Sequence, residues 1–185
     1  MRVIETELAD CWVLEPKVFN DERGYFYETW NKQTFAELGL NLEFKQANLS
    51  SSTRGVLRGL HYQWPKPQGK LVQVLEGEAY DVAVDIRSNS PNYGRWVAVI
   101  LSAENKRQLW MPPGFAHGFV ALSERVTFSY LCTEIYDASC DANLRWDDAS
   151  LAIDWPVSNP TLSNKDAKAP FLCDIPPEKL PRIDE

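Results

Sequence analysis

Leu71-Val72-Gln73-Val74-Leu75, then Glu76-Gly77-Glu78, then Ala79-Tyr80-Asp81-Val82-Ala83-Val84-Asp85-Ile86 form one unbroken stretch. Two apolar, β-branched runs enclose a short polar segment with a glycine, a pattern that predicts a hairpin in which Gly77 adopts the backbone angle other residues avoid. In the second run Tyr80, Val82, Val84 and Ile86 alternate with Asp81, Ala83 and Asp85. Two acids in three mean that the second face either meets water or lines a polar cavity. Further strands are expected from Trp96 to Leu101, Gln108 to Met111, His117 to Leu122 and Val126 to Tyr136. Asn89-Ser90-Pro91-Asn92-Tyr93-Gly94 and Pro112-Pro113-Gly114 punctuate them. Short strands at this spacing favour a sandwich or barrel.

Helices are expected to be few. Gln33 to Leu38 makes a short one, ended by Gly39. Beyond Trp155 the chain is rich in proline and polar residues, and it reads as an ordered tail wrapped around the barrel. With 185 residues, 44% hydrophobic and 12% aromatic, the chain can bury a full core, and residues 1–185 read as a single domain.

A net charge of −7 argues against general nucleic-acid binding, which needs a basic face. No stretch approaches the roughly 20 apolar residues of a membrane helix, and Met1 is not followed by a leader pattern. The expectation is a cytoplasmic protein, without nucleic-acid or membrane partners. Cys11, Cys132, Cys140 and Cys173 lack zinc or redox spacing and read as reduced thiols.

Chemistry concentrates in Gly55-Val56-Leu57-Arg58-Gly59-Leu60-His61-Tyr62-Gln63, followed by Gly69-Lys70. His61, the first of two histidines, stands between an arginine and a lysine on an apparent strand. Imidazole takes and returns protons near neutral pH, and flanking cations suit an anionic small molecule. A strand histidine is as often a satisfied core residue, so this run alone leaves both readings open.

Other runs narrow the choice. Arg23-Gly24-Tyr25-Phe26-Tyr27-Glu28, Gln46-Ala47-Asn48, the His61 run, Gln68-Gly69-Lys70-Leu71-Val72 and Asp81 to Arg87 come first. Pro112-Pro113-Gly114-Phe115-Ala116-His117-Gly118-Phe119, Arg145-Trp146-Asp147-Asp148 and Lys165-Asp166 follow. In this order, across almost the whole chain, they resemble the dTDP-4-dehydrorhamnose 3,5-epimerase family. The resemblance implies a mainly β, cupin-like jelly-roll barrel with an ordered C-terminal tail. It also implies a homodimer that acts without a cofactor on dTDP-4-dehydro-6-deoxyglucose.

By the same resemblance His61 is the base, Asp166 its orienting carboxylate and Tyr130 the proton donor. Lys70 is placed to stabilise an enolate at O4. Arg23 and Arg58 would meet the diphosphate, and Phe19 or Phe26 would stack on thymine. Glu28, Gln46, Asn48, Tyr136, Asp141 and Lys165 match positions contacting nucleotide or sugar, and His117 would line the sugar pocket. Asp81 and Asp85 read as structural partners of an arginine or of the surroundings of His61. Many cupins hold a metal, and Pro112 to His117 fits their second signature. The first signature needs two more histidines and a glutamate where this chain has His61-Tyr62-Gln63, so a metal-independent site is expected.

One departure stands out. After Tyr136 the family pattern has a proline and then a glutamate, whereas this chain reads Asp137-Ala138-Ser139-Cys140-Asp141-Ala142-Asn143. Asp141 is one methylene shorter than that glutamate, which bears on sugar specificity. Alternatives are an epimerase of C3 or C5 alone, a non-catalytic nucleotide-sugar-binding cupin, and a metal-dependent cupin.

Overall fold

The computed structural model describes residues 1–183. Six antiparallel strands form one sheet in the order β1 (Arg2–Glu5), β2 (Trp12–Glu15), β10 (Gln108–Met111), β7 (Lys70–Glu76), β12 (Arg125–Cys132), β5 (Gln46–Thr53). Five form the facing sheet in the order β13 (Asp141–Asn143), β6 (Leu57–Gln63), β11 (Phe115–Ala121), β8 (Glu78–Asp85), β9 (Trp96–Ser102). A separate two-stranded ribbon pairs β3 (Phe19–Asp21) with β4 (Gly24–Phe26). From β5 to β8 each successive strand crosses to the other sheet, as in a jelly roll.

That crossing corrects the expected hairpin. β7 pairs with β10 and β12, whereas β8 pairs with β11 and β9, so the two arms around Gly77 belong to different sheets. Gly77 does take a positive φ of +79°, and a Cβ there would stand 2.1 Å from the Arg125 carbonyl oxygen. The glycine turns a corner between layers, and the true hairpin partner of β8 is β9.

The alternation in β8 resolves in favour of a lined interior. Val82, Val84 and Ile86 face outward, where Leu172, Ile175 and Leu180 of the tail cover them. Ala79 and Ala83 face inward and pack with Val72, Val74, Phe119 and Phe128 between the sheets. Asp81 and Asp85 share the inward parity and are fully buried. Such burial requires partners: Asp85 binds the Arg87 guanidinium at 2.7 Å and Asp81 binds His117 at 2.8 Å. Asp81 therefore serves the second histidine and not His61.

The outer face of the six-stranded sheet is covered by α1 (Lys32–Glu37), where Asn31 caps the N-terminus and Phe35 is buried beside Leu14, Leu71 and Trp110. The strand expected to reach Tyr136 ends at Cys132. Beyond it side chains take over the backbone groups, with Gln46 Oε1 accepting from Tyr136 N at 2.7 Å and Gln63 Oε1 accepting from Asp137 N at 2.8 Å. The tail holds α2 (Asn164–Ala167) and two short 3₁₀ turns, and it is ordered by packing together with one isolated parallel bridge between Thr161 and Val56. Among the described residues no helix is long and apolar enough to cross a membrane.

Candidate active site

The open end between the sheets holds three adjoining hollows, and His61 borders all of them. The outer one, about 260 Å³, is lined by Gln46, Asn48, Lys70, Tyr130, Tyr136 and Asp141. The inner one, about 140 Å³, is lined by Ser50, Arg58, Lys70, His117 and Tyr130, with Phe119 and Phe128 behind. A third, about 330 Å³, runs between Arg58 and the tail residues Ser163, Lys165 and Asp166.

β6 brings His61 to the junction, and α2 brings Asp166 to meet it. His61 Nε2 lies 2.5 Å from Asp166 Oδ1, although 105 residues separate them. Burial pushes the Asp166 carboxyl upward, but hydrogen bonds from His61, Ser163 and the Gly59 amide outweigh it and hold the group below the ordinary carboxylate range. Asp166 is therefore an anion at neutral pH. With Nε2 engaged, Nδ1 of His61 has no protein hydrogen bond among the described residues and is left for a guest molecule.

Lys70 and Tyr130 come from β7 and β12 on the facing sheet. Lys70 Nζ reaches across to the His61 carbonyl oxygen at 3.4 Å. Its burial lowers its proton affinity, because an ammonium loses hydration there. Burial raises Tyr130, so the phenol keeps its proton. The imidazole thus stands on one wall, with a cation and a proton donor on the other.

His117 is the register partner of His61 on β11. Burial lowers its pKa, against the pull of Asp81, and leaves it neutral. Arg58 is held by Ser52 Oγ at 2.9 Å and faces two of the hollows. Lys165 Nζ donates to Asp141 Oδ2 at 2.5 Å, and Tyr136 Oη donates to the same oxygen at 3.1 Å. The shorter carboxylate thus binds protein groups at the rim.

Four expected contact residues do not reach these hollows within one chain. Arg23, Phe19 and Phe26 sit on the separate β3–β4 ribbon; Arg23 is 86% exposed and its guanidinium binds Asp21. Glu28 accepts hydrogen bonds from Asn31 and Thr34 at the start of α1. The ribbon's strands pair only with each other, and it meets the rest of the fold where Lys106 Nζ lies 4.2 Å from the centre of the Tyr25 ring, so its own sequence does not bring it to the barrel mouth. Conversely, Ser50, Ser163 and Gln63 line the hollows although the sequence assigns them no contact. Only Ser163 had a readable signal, a serine three residues before an aspartate, the pattern of a helix cap.

Among the described residues no three His, Cys, Asp or Glu side chains gather in a metal-ligating arrangement. Each histidine gives one ring nitrogen to a carboxylate.

A jelly roll whose mouth opposes an oriented imidazole to a buried ammonium and a phenol is a proton-transfer enzyme of the isomerase class. The chain belongs to the dTDP-4-dehydrorhamnose 3,5-epimerase family, whose model matches residues 5–174. A dTDP-4-dehydrorhamnose 3,5-epimerase of Shigella flexneri is 55% identical over 90% of this chain and 93% of its own length. The solved dTDP-6-deoxy-D-glucose-3,5-epimerase of Legionella pneumophila, in complex with dTDP-4-keto-L-rhamnose, superposes with a TM-score of 0.96. It is 50% identical, covering 100% of this chain and 99% of that one. A 3'-monoepimerase of Streptomyces bikiniensis in complex with dTDP-quinovose is also similar, at 33% identity and a TM-score of 0.86, covering 91% of this chain and 86% of that one.

Proposed function

We propose that this chain converts dTDP-4-dehydro-6-deoxy-D-glucose into dTDP-4-dehydro-L-rhamnose by inverting C3 and C5. One observation supports the mechanism: an imidazole and a phenol line one hollow from opposing walls, His61 on β6 and Tyr130 on β12. Protons on C3 and C5 are acidic because each carbon adjoins the C4 carbonyl. His61 Nδ1 takes one such proton, and the C–H electron pair moves into an enolate with its charge mainly on O4. Asp166 stabilises the imidazolium, and Lys70 meets the developing oxyanion. Tyr130 returns a proton to the other face of the carbon, which inverts it. The reaction as written needs no group beyond these side chains.

Arg58 and Lys165 supply cations for the diphosphate. Gln46, Asn48, Tyr136, Asp141 and His117 offer hydrogen bonds to nucleotide and sugar. Arg23, Glu28, Phe19 and Phe26 serve a site only if a second copy delivers them, so the homodimer belongs to this proposal. Four free thiols are consistent with a cytoplasmic setting.

The test is exchange of substrate protons with deuterated water, followed by NMR separately at C3 and C5. Exchange at both positions, abolished by His61→Ala, is expected. Exchange at one carbon alone would replace the reading with a monoepimerase, and a wild-type protein with no exchange would remove it.

A further inference from the structure

We propose that Ser163 is a positioning residue for the reaction, the third member of a Ser163, Asp166, His61 chain; this rests on the reading of His61 as base. Ser163 Oγ donates to Asp166 Oδ2 at 2.8 Å, while Asp166 Oδ1 faces His61 Nε2 at 2.5 Å. The Asp166 main-chain N–H in turn donates to Ser163 Oγ at 3.0 Å. A carboxylate gripped through one oxygen can rotate about its Cβ–Cγ bond. Gripped through both, it points one lone pair at the imidazole and fixes which ring nitrogen carries the proton.

Bulk solvent does not reach this carboxylate, since Asp166 is 2% exposed. Asp81, the carboxylate of the other histidine, shows the alternative: its Oδ1 is buried without a partner.

The tail around Ser163 is anchored independently of the hydroxyl. Leu57 N donates to the Thr161 carbonyl at 3.0 Å, Thr161 N to the Gly55 carbonyl at 2.9 Å, and Arg145 N to the Pro170 carbonyl at 2.8 Å. Asn143 Nδ2 also donates to the Lys165 carbonyl at 3.1 Å. Removing the hydroxyl therefore leaves the carboxylate to His61 and the Gly59 amide, and loosens it more than it displaces the backbone. The hydroxyl itself touches no atom of a substrate in this scheme, so its effect passes through Asp166.

The experiment compares Ser163→Ala, Ser163→Gly and Ser163→Thr, alone and with Asp166→Asn. Glycine lacks the hydroxyl yet is accepted at a helix cap, so it guards against failure of the alanine variant to fold. Loss of the hydroxyl is expected to lower kcat about tenfold, the scale of one charge-assisted hydrogen bond. KM should stay within about twofold, because binding contacts are untouched. The far-downfield imidazole N–H proton resonance of the wild type should broaden in Ser163→Ala and Ser163→Gly and return in Ser163→Thr. In the Asp166→Asn background, Ser163→Ala should cost nothing further. Unchanged kcat, a rise in KM alone, or full additivity with Asp166→Asn would overturn the proposal. If His61→Ala abolishes proton exchange while both hydroxyl-free variants are silent, only this inference fails. If His61→Ala retains exchange, the base assignment fails first.

Discussion

Two histidines sit side by side on β6 and β11, each bound to an aspartate, yet the surroundings make them different instruments. The His61 side chain is 35% exposed and opens onto three hollows, and its carboxylate is held through both oxygens. The His117 side chain is 9% exposed, its aspartate is fully buried, and one oxygen of that pair has no partner. A base must accept a charge and release it, which requires access and a stabilised imidazolium. A buried neutral imidazole instead offers a fixed hydrogen-bonding edge. The same pair of residue types thus yields an accessible ring at one position, the one proposed as base, and a buried wall at the other.

The sharpest way to break this contrast is to remove each ring in turn. His61→Ala should lower exchange at C3 and C5 by about 10³-fold, within the range of general-base catalysis, while His117→Ala leaves it readily measurable. Comparable losses would erase the distinction. Next in size, Lys70→Met should lower kcat by about 10²-fold through the lost oxyanion partner, as read by steady-state kinetics. A change confined to KM would reassign Lys70 to binding.

Stability offers a further comparison. His117 has its pKa lowered by burial, so the unfolded chain binds more protons than the folded one near the ordinary histidine value. Its contribution is thus fully present above about pH 6.5 and fades as pH falls through the lower folded value. Urea midpoints should accordingly drop with acidification in that window, and His117→Gln should flatten the decline. The smallest effect is expected for Asp141→Glu. Its ion pair with Lys165 is partly exposed, so a shift in KM of about two- to threefold is anticipated, measured with the ratio of C3 to C5 exchange. A changed ratio would make this residue a determinant of regiochemistry.

Strand identity was legible because alternation is local: Gln108–Met111 forms as expected, and β8, β9 and β11 fall within a few residues of expectation. Strand partnership was not. The Gly77 turn looks like a hairpin because period-two patterning records which residues share a face and not which strand lies beside them. Likewise the Tyr136 end of β12 was obscured because Gln46 and Gln63, distant in sequence, satisfy the backbone there.

In the site, His61, Lys70 and Asp166 came from motif runs and Tyr130 from the family resemblance alone, and the four stand together. Arg23, Phe26 and Glu28 came from an equally recognisable run, and Phe19 from its vicinity, but all four lie away from the hollows. A motif carries residue types and order, whereas the placement of the ribbon depends on what it packs against.

By itself, the amino-acid order determined a β-rich chain, a scarce histidine set among cations, and a proline-rich tail carrying Lys165-Asp166. Only the tertiary structure decided that this histidine is the accessible one, that the Tyr130 phenol faces it from the opposite sheet, and that Asp81 belongs to the other ring. The reason is physical: acidity and reach depend on burial and on neighbours in space, and folding brings His61 against Asp166, 105 positions further along the chain.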